Sequence, residues 1–158
     1  MIKLLDLLAV DRETAIDVTY RLLQERPPEA NISHDGKPNL GEHIAYVSRY
    51  LARGTVPEYH PYVRWKLIYA DHVPVGSVSA TQHNEIGVAI LREHQRKGYA
   101  RAALHEFMVL YPALPAVPGK RRGCYIANIA PGNTASIALF AQFGAILVQQ
   151  TYTIEERT

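Results

Sequence analysis

Two nearby stretches decide how this chain folds: an apolar run, Ile86-Gly87-Val88-Ala89-Ile90-Leu91, and a basic turn, Gln95-Arg96-Lys97-Gly98-Tyr99-Ala100. The apolar run has the length of a buried strand, and residues 100–111 repeat apolar side chains at helical spacing. A strand that passes through a glycine-containing turn into a helix exposes the unpaired N–H groups and the positive dipole end of that helix. The stretch therefore predicts a site that holds a phosphate-bearing ligand largely through backbone.

The composition is that of an ordinary globular domain. The chain has 158 residues and a net charge of +2, and 47% of its residues are hydrophobic. The small net charge argues against nucleic acid as a partner, and no apolar run reaches the roughly 18 residues of a membrane span. The one cysteine, Cys124, excludes an intramolecular disulfide. It suits a reducing cytoplasm, where we expect the protein to act, and we expect its thiol to be buried.

Local sequence signals predict an α+β domain of alternating helices and strands. Asp11 resembles a helix N-cap, Pro27-Pro28 a helix stop, and Gly144 a helix C-cap. Four helices are expected, over residues 12–25, 40–51, 100–111 and from about 131 to 143. Strands are expected over residues 2–10, 64–70, 75–81, 85–91, 124–127 and 145–154, the last as one strand or a pair. The close spacing of the three central strands favours antiparallel hairpins.

The basic turn and a second, later segment both resemble one known family. The pattern Gln95-x-x-Gly98-x-Ala100 is similar to the acyl-CoA pyrophosphate loop of the GNAT superfamily of N-acetyltransferases. The later segment, residues 128–145, resembles the strand–helix pattern of the same family, with Ala145 where phenylalanine is usual. The matching residues there are Asn128, Asn133, Ser136, Leu139 and Gly144.

The resemblance implies a fold for the whole chain. It implies one GNAT-like domain over residues 1–158, with the motifs in a core of residues 64–150. The GNAT fold is a mixed, mostly antiparallel central sheet of six to seven strands flanked by about four helices. The first 60 residues match that pattern only in their number of helices.

The resemblance also implies residues that bind acetyl-CoA. Val88, Ala89 and Ile90 stand where the family's bulged strand offers backbone groups to the pantetheine arm, although a plain buried strand would read the same way. Asn133 stands where a family asparagine contacts the cofactor near its thioester, with a helix N-cap as the alternative. The residues implied around the pyrophosphate are Gln95, Arg96, Lys97, Gly98, Tyr99, Ala100 and Arg101.

The catalytic groups are less clearly marked in the sequence. Acetyl transfer to an amine needs a base for the amine proton, and Glu85 is the first candidate, with His83 second. Many family members supply an acid from a tyrosine at the position of Phe140, which has no proton to donate. Tyr152, or else Tyr125, could replace it, or the CoA thiolate could leave unassisted. The histidines and the cysteine show no metal-ligand spacing, so we predict no metal site.

The resemblance implies an N-acetyltransferase that moves an acetyl group from acetyl-CoA to a primary amine by direct attack in a ternary complex. The acceptor would be a small-molecule amine, a protein N-terminus or a lysine, and a homodimer is compatible with the family. The alternative is a non-catalytic acyl-CoA-binding sensor or interaction module of the same fold. The residues that could line the acceptor cleft are His34, Asp35, Tyr46, Tyr50, Tyr59 and His60.

Overall fold

The computed structural model describes residues 1–30, 36–53 and 60–155, and within these ranges the chain forms one antiparallel sheet and four helices. The strands follow one another in the order β1-β2-β3-β4. They are β1 (Ile2–Asp6), β2 (Tyr62–Ala70), β3 (Val73–Thr81) and β4 (Ile86–Ile90). The helices are α1 (Arg12–Glu25), α2 (Leu40–Leu51), α3 (Tyr99–Leu110) and α4 (Thr134–Ala141).

Local capping explains where the first two helices begin. The Asp11 carboxylate accepts the Thr14 N–H at 2.9 Å and so caps α1. Asn39 and Glu42 form a reciprocal capping box at the start of α2. Each cap satisfies backbone donors that a helix N-terminus leaves unpaired. Both helices therefore have the bounds that the sequence predicts.

The sheet separates two apolar cores because neighbouring side chains of a strand point to opposite faces. Leu67 belongs to the core that α1 and α2 cover, whereas Ile68 belongs to the core that α3 covers. Both side chains are fully buried. In the first core the Tyr50 hydroxyl accepts the Trp65 N–H at 3.0 Å and donates to the Asp6 carboxylate at 3.1 Å. Burial and the Asp6 charge raise the pKa of Tyr50 to about 12.

A buried asparagine joins the turn between β3 and β4 to a distant loop. Asn84 is 1% exposed and has a positive φ of 63°. Its Nδ2 donates to the carbonyls of Leu114 at 2.9 Å and Arg122 at 2.7 Å, and its Oδ1 accepts the Leu114 N–H at 2.8 Å. The loop over residues 112–123 is thereby fixed beside Glu85.

The expected sheet of six to seven strands is wrong for the described residues, which form four. The segment expected as a strand at 124–127 pairs with the sheet only through a parallel bridge between Glu85 and Ile126. Beyond α4, residues 145–155 have no regular structure, and Ile146 and Ile154 are 80% and 97% exposed. Because residues 124–127 form a single bridge and not a strand, they give the segment after α4 no strand to pair with. The expected burial of Cys124 is also wrong, because this residue is exposed.

Candidate functional site

β4 has one edge that pairs with β3 and one that is largely open. The β3–β4 register runs without a shift from Gly76↔Ile90 to Ala80↔Ile86, and the Glu85 carbonyl accepts the Thr81 N–H at 2.9 Å. On the opposite edge the Ile86 N–H donates to the Ile126 carbonyl at 2.9 Å. Backbone groups of a strand alternate in direction, so residues 86, 88 and 90 share this second edge.

Val88 and Ile90 therefore present backbone groups on this open edge. The Ile90 carbonyl accepts Nε2 of Gln95 at 3.1 Å. Within the described ranges, no backbone partner lies across this edge from Val88, because the chain diverges after the Ile126 bridge. Alternation turns the N–H and C=O of Ala89 toward β3 instead. The expected bulge in β4 is wrong, because the register shifts of the sheet lie between β2 and β3. The edge of β4 is open because the chain diverges from it after the Ile126 bridge.

The chain after β4 leads to an uncapped helix N-terminus. Gly98, with φ of 80°, is the N-cap residue of α3 and supplies no side-chain cap. The first backbone bond of the helix runs from the Ala102 N–H to the Gly98 carbonyl at 3.1 Å, so three earlier N–H groups stay available. Arg96 also has a positive φ, of 62°, a conformation that costs free energy for a residue with a side chain.

The basic turn around this helix end is accessible to a ligand. Gln95, Arg96, Lys97, Gly98 and Arg101 are all exposed, and Tyr99 and Ala100 are half-buried. The first turn of α3 contains no acidic residue. Three cationic side chains thus surround open N–H donors at the positive end of a helix, which is the chemistry that binds phosphate.

Asn133 is a helix N-cap, which is the alternative to cofactor contact that the sequence leaves open. Its Oδ1 accepts the Ser136 N–H at 3.2 Å and so caps α4. The neighbouring Gly132 lies against the turn that follows α1, because a Cβ at Gly132 would lie 3.5 Å from the Cβ of Glu29. Glu29 was not identified from the sequence, since this contact joins distant parts of the chain that share no local pattern.

Glu85 lies at the start of the open edge. It is half-buried, and its backbone is held by Thr81 and by the bridge to Ile126. Alternation along β4 puts its side chain on the same face as that of residue 87, the face of α1 and α2. The side chains next to Glu85 on this face are small, since Gly87 pairs with Ser79. These small neighbours leave space for an amine beside the Glu85 carboxylate, which can accept a proton from it.

Among the described residues, no hydrogen bond joins the Glu85 side chain to the other proposed acids and bases. Tyr152 is 77% exposed, lies outside any strand, and donates its hydroxyl proton to Oε1 of Gln150 at 2.7 Å. The Tyr125 hydroxyl donates to the Tyr111 carbonyl at 2.7 Å, and burial raises the pKa of Tyr125. His83 is exposed beside the Lys120 carbonyl. Phe140 packs against the core under α3.

The residues expected to line the acceptor cleft fall into two groups. His34, Asp35 and Tyr59 lie outside the described residues. Tyr46, Tyr50 and His60 instead pack with Trp65 in an aromatic cluster, where the rings of Tyr46 and His60 are 4.5 Å apart. Tyr50 is fully buried and His60 is 8% exposed, so packing accounts for both.

The described residues show neither a metal-ligand cluster nor a helix that could span a membrane. Nowhere in 1–30, 36–53 and 60–155 do three or more His, Cys, Asp or Glu side chains come together as a metal site would need. The helices in the same ranges are all too short or too polar to cross a membrane.

Comparison with known proteins identifies the family. A family model described as "Acetyltransferase (GNAT) domain" matches residues 7–146 of the chain. No curated protein sequence matches the chain significantly.

Solved structures share the fold at low sequence identity. A possible acetyltransferase from Clostridium difficile 630 is 12% identical with a TM-score of 0.62, and the match covers 100% of this chain and 99% of that one. The aminoglycoside N-acetyltransferase AAC(6')-Iy in complex with CoA is 15% identical, with a TM-score of 0.58 and coverage of 100% and 95%.

A third similar structure is an acetyltransferase from Salmonella typhimurium that modifies the N-terminal serine of ribosomal protein L7/L12. It is 18% identical, with a TM-score of 0.60 and coverage of 89% of this chain and 78% of that one. The family match spans most of the sequence, and the similar structures have the same fold. The chain belongs to the GNAT acetyltransferase family.

Proposed function

We propose that the protein is an N-acetyltransferase that transfers the acetyl group of acetyl-CoA directly to a primary amine. The observation that carries this proposal is the open edge of β4, which leads to the uncapped N-terminus of α3. A strand edge with free amide groups fits the amide-rich pantetheine arm, and a basic helix N-terminus fits a pyrophosphate.

Each part of the donor has a place in this arrangement. The C=O of Val88 and the N–H of Ile90 would pair with the amides of the pantetheine arm. The first N–H groups of α3, together with Arg96, Lys97 and Arg101, would bind the pyrophosphate. Asn133 has an Nδ2 group left after its capping bond, which could reach the thioester end.

The chemistry then needs few side chains. Glu85 accepts a proton from the bound ammonium or from the attacking amine, directly or through water. The amine nitrogen forms a bond to the acetyl carbon, the carbon–sulfur bond breaks, and the electron pair leaves on the CoA thiolate. The second proton that the nitrogen loses goes to solvent or to the departed thiolate. The Val88 N–H would stabilise the charge that develops on the carbonyl oxygen. With Phe140 in the core and Tyr152 exposed, we propose that the thiolate leaves without an acid from either position.

The acceptor belongs to one of two classes of amine. Similar structures include an aminoglycoside N-acetyltransferase and an enzyme that modifies the N-terminal serine of a ribosomal protein. The small side chains beside Glu85, at Ser79 and Gly87, leave space for a primary amine on either a small molecule or a protein N-terminus. We propose the cytoplasm as the compartment, where the exposed thiol of Cys124 stays reduced.

The test of turnover is the release of free CoA thiol from acetyl-CoA in the presence of an amine panel. The panel contains aminoglycosides, polyamines, free amino acids, lysine peptides and peptides with free N-termini. Thiol release with any of these supports the proposal, whereas acetyl-CoA binding without release across the panel supports a non-catalytic acyl-CoA-binding module. Light scattering on the same samples shows whether the protein is a homodimer.

The donor site itself is tested by replacing Gly98. Gly98→Glu puts a carboxylate and a strained positive φ at the pyrophosphate position, so we expect the affinity for acetyl-CoA to fall at least about tenfold. Calorimetric titration and the melting shift with acetyl-CoA measure the loss.

Gly119→Glu is the matched control for that variant. Gly119 also has a positive φ, of 73°, and open space where a Cβ would stand, but it lies in the loop after α3. The control variant introduces the same charge and a similar backbone strain beyond the C-terminal end of α3, the end opposite the basic turn. An acetyl-CoA affinity that survives in Gly98→Glu would contradict the donor site.

A further inference from the structure

We propose that Glu25, the last residue of α1, is a positioning residue that holds the donor-binding turn in its productive conformation. This inference rests on the proposed function, because it assigns the turn at residues 95–98 to the pyrophosphate of acetyl-CoA. Neither the family pattern nor the sequence motifs include this residue.

The contact that carries the proposal joins α1 to the chain between β4 and α3. Oε2 of Glu25 accepts the Arg92 N–H at 2.9 Å, and Arg92 Nη2 donates to the Glu25 carbonyl at 3.4 Å. Arg92 begins a 3-10 turn over Arg92–His94 whose N-cap residue, Leu91, supplies no side-chain cap. The Glu25 carboxylate therefore does for this turn what an N-cap side chain does within a single helix.

The position of Glu25 in its own helix supports a role outside that helix. A carboxylate in the last turn faces the negative end of the helix dipole, which is unfavourable unless another group compensates. The last turn of α1 contains no basic residue that could do so. Cations from outside the helix bind its end instead, since Arg92 Nη2 donates to the Glu25 carbonyl and Lys37 Nζ donates to the Gln24 carbonyl at 2.7 Å. The Glu25 carboxylate itself pairs with the Arg92 N–H of the turn.

The 3-10 turn passes its orientation directly to the donor-binding residues. The Gln95 N–H donates to the Arg92 carbonyl at 3.3 Å, and Nε2 of Gln95 donates to the Ile90 carbonyl at 3.1 Å. Arg96 and Gly98 follow at once with positive φ angles. Arg96 and Gly98 are exposed, so the hydrogen-bonded residues before them, from Arg92 to Gln95, determine the direction of the basic turn.

The test compares three substitutions of Glu25 in the full chain. We expect Glu25→Ala to raise the Kd and the KM for acetyl-CoA about tenfold, with kcat and the KM for the amine unchanged. Glu25→Gln keeps an oxygen acceptor for the Arg92 N–H, so it should bind acetyl-CoA nearly as well as the wild type. Glu25→Asp, which shortens the side chain by one carbon, gives an intermediate affinity and provides a second variant if Glu25→Ala does not fold.

Electrostatics alone predicts the opposite sign, which makes the result decisive. On charge alone, removing a carboxylate near a site for a polyanion should tighten binding. Asp17→Ala is the control for this effect, because it removes an exposed carboxylate elsewhere on α1, and we expect it to tighten acetyl-CoA binding slightly or not at all. Arg21→Ala is the second control, because it breaks the exposed Arg21–Glu93 ion pair, 2.8 Å long, between the same two segments.

The outcomes separate this inference from the proposed function. Wild-type affinity in folded Glu25→Ala, or an equal loss in Glu25→Gln, would overturn the positioning role. A wild-type protein that does not bind acetyl-CoA would overturn the proposed function itself.

Discussion

Asn84 shows how much of the candidate site depends on one side chain. Its carboxamide satisfies two carbonyls and one N–H of the loop over residues 112–123 while its backbone makes the turn into Glu85. Asparagine tolerates the left-handed conformation better than most residues, and its side chain offers both donors and an acceptor. The residue therefore fixes the position of the proposed base.

We expect Asn84→Ala to lower the free energy of unfolding by about 3 kcal/mol, because it removes three hydrogen bonds between the buried Asn84 side chain and the loop over residues 112–123. Urea denaturation measures this change. Asp71→Ala is the control, since Asp71 also has a positive φ, of 47°, but is exposed in the turn between β2 and β3. A loss in Asn84→Ala no larger than in the control would show that backbone strain, not the buried hydrogen bonds, determines the cost.

Among the elements, those with local signals could be predicted and those that depend on distant partners could not. The bounds of α1 follow from Asp11 and Pro27, which lie next to the helix in sequence. The strand expected over residues 145–154 is rich in β-forming residues but needs a neighbouring strand, and the segment at Ile126 offers one bridge only. The residue types of a segment indicate that it can form a strand, but they do not provide the neighbouring strand that it must pair with.

The same distinction applies to the candidate site. The basic turn and the strand before it lie together in sequence, so their proximity could be predicted from the pattern of Gln95, Gly98 and Ala100. Glu25 contacts Arg92 and Glu29 lies beside Gly132, and no spacing in the sequence marks either of these contacts. The sequence also gives no sign that Tyr152 is exposed outside any strand, because its expected place depends on a strand pairing that the described residues do not form.

The open edge of β4 predicts an alternating pattern of amide hydrogen exchange. The N–H groups of Gly87 and Ala89 point to β3 and should exchange slowly, whereas those of Val88 and Ile90 should exchange fast. Saturating acetyl-CoA should slow Val88 and Ile90 selectively, which residue-resolved exchange by NMR can measure. Uniformly slow exchange along β4 without the ligand would contradict an open edge.

At the scale of the whole molecule, two buried histidines link stability to pH. Burial lowers the pKa of His43, which lies 2.7 Å from the Thr19 hydroxyl. Burial and, next, the charge of Arg49 lower the pKa of His60, with a smaller contribution from Arg53. In both cases the unfolded chain binds protons more readily than the folded one.

Folding stability should therefore be complete above the ordinary histidine pKa of about 6.5 and fall as the pH drops below it. Each histidine can contribute a slope of up to about 1.4 kcal/mol per pH unit. Urea denaturation at pH 7.5 and at pH 5.5 measures the effect. Replacing both histidines with glutamine should flatten the profile between these values, and an unchanged slope would assign the acid sensitivity to other groups.

The pairing of β1 with β2 has a consequence for synthesis on the ribosome. Ile2 pairs with Ala70, so the first strand to be made has its partner only after both α1 and α2 have been translated. The hairpins of β2, β3 and β4 are local and close quickly, whereas the long loop between β1 and β2 adds closure entropy. During translation, the nascent chain must keep the apolar strand Ile2–Asp6 unpaired until the meander offers it an edge.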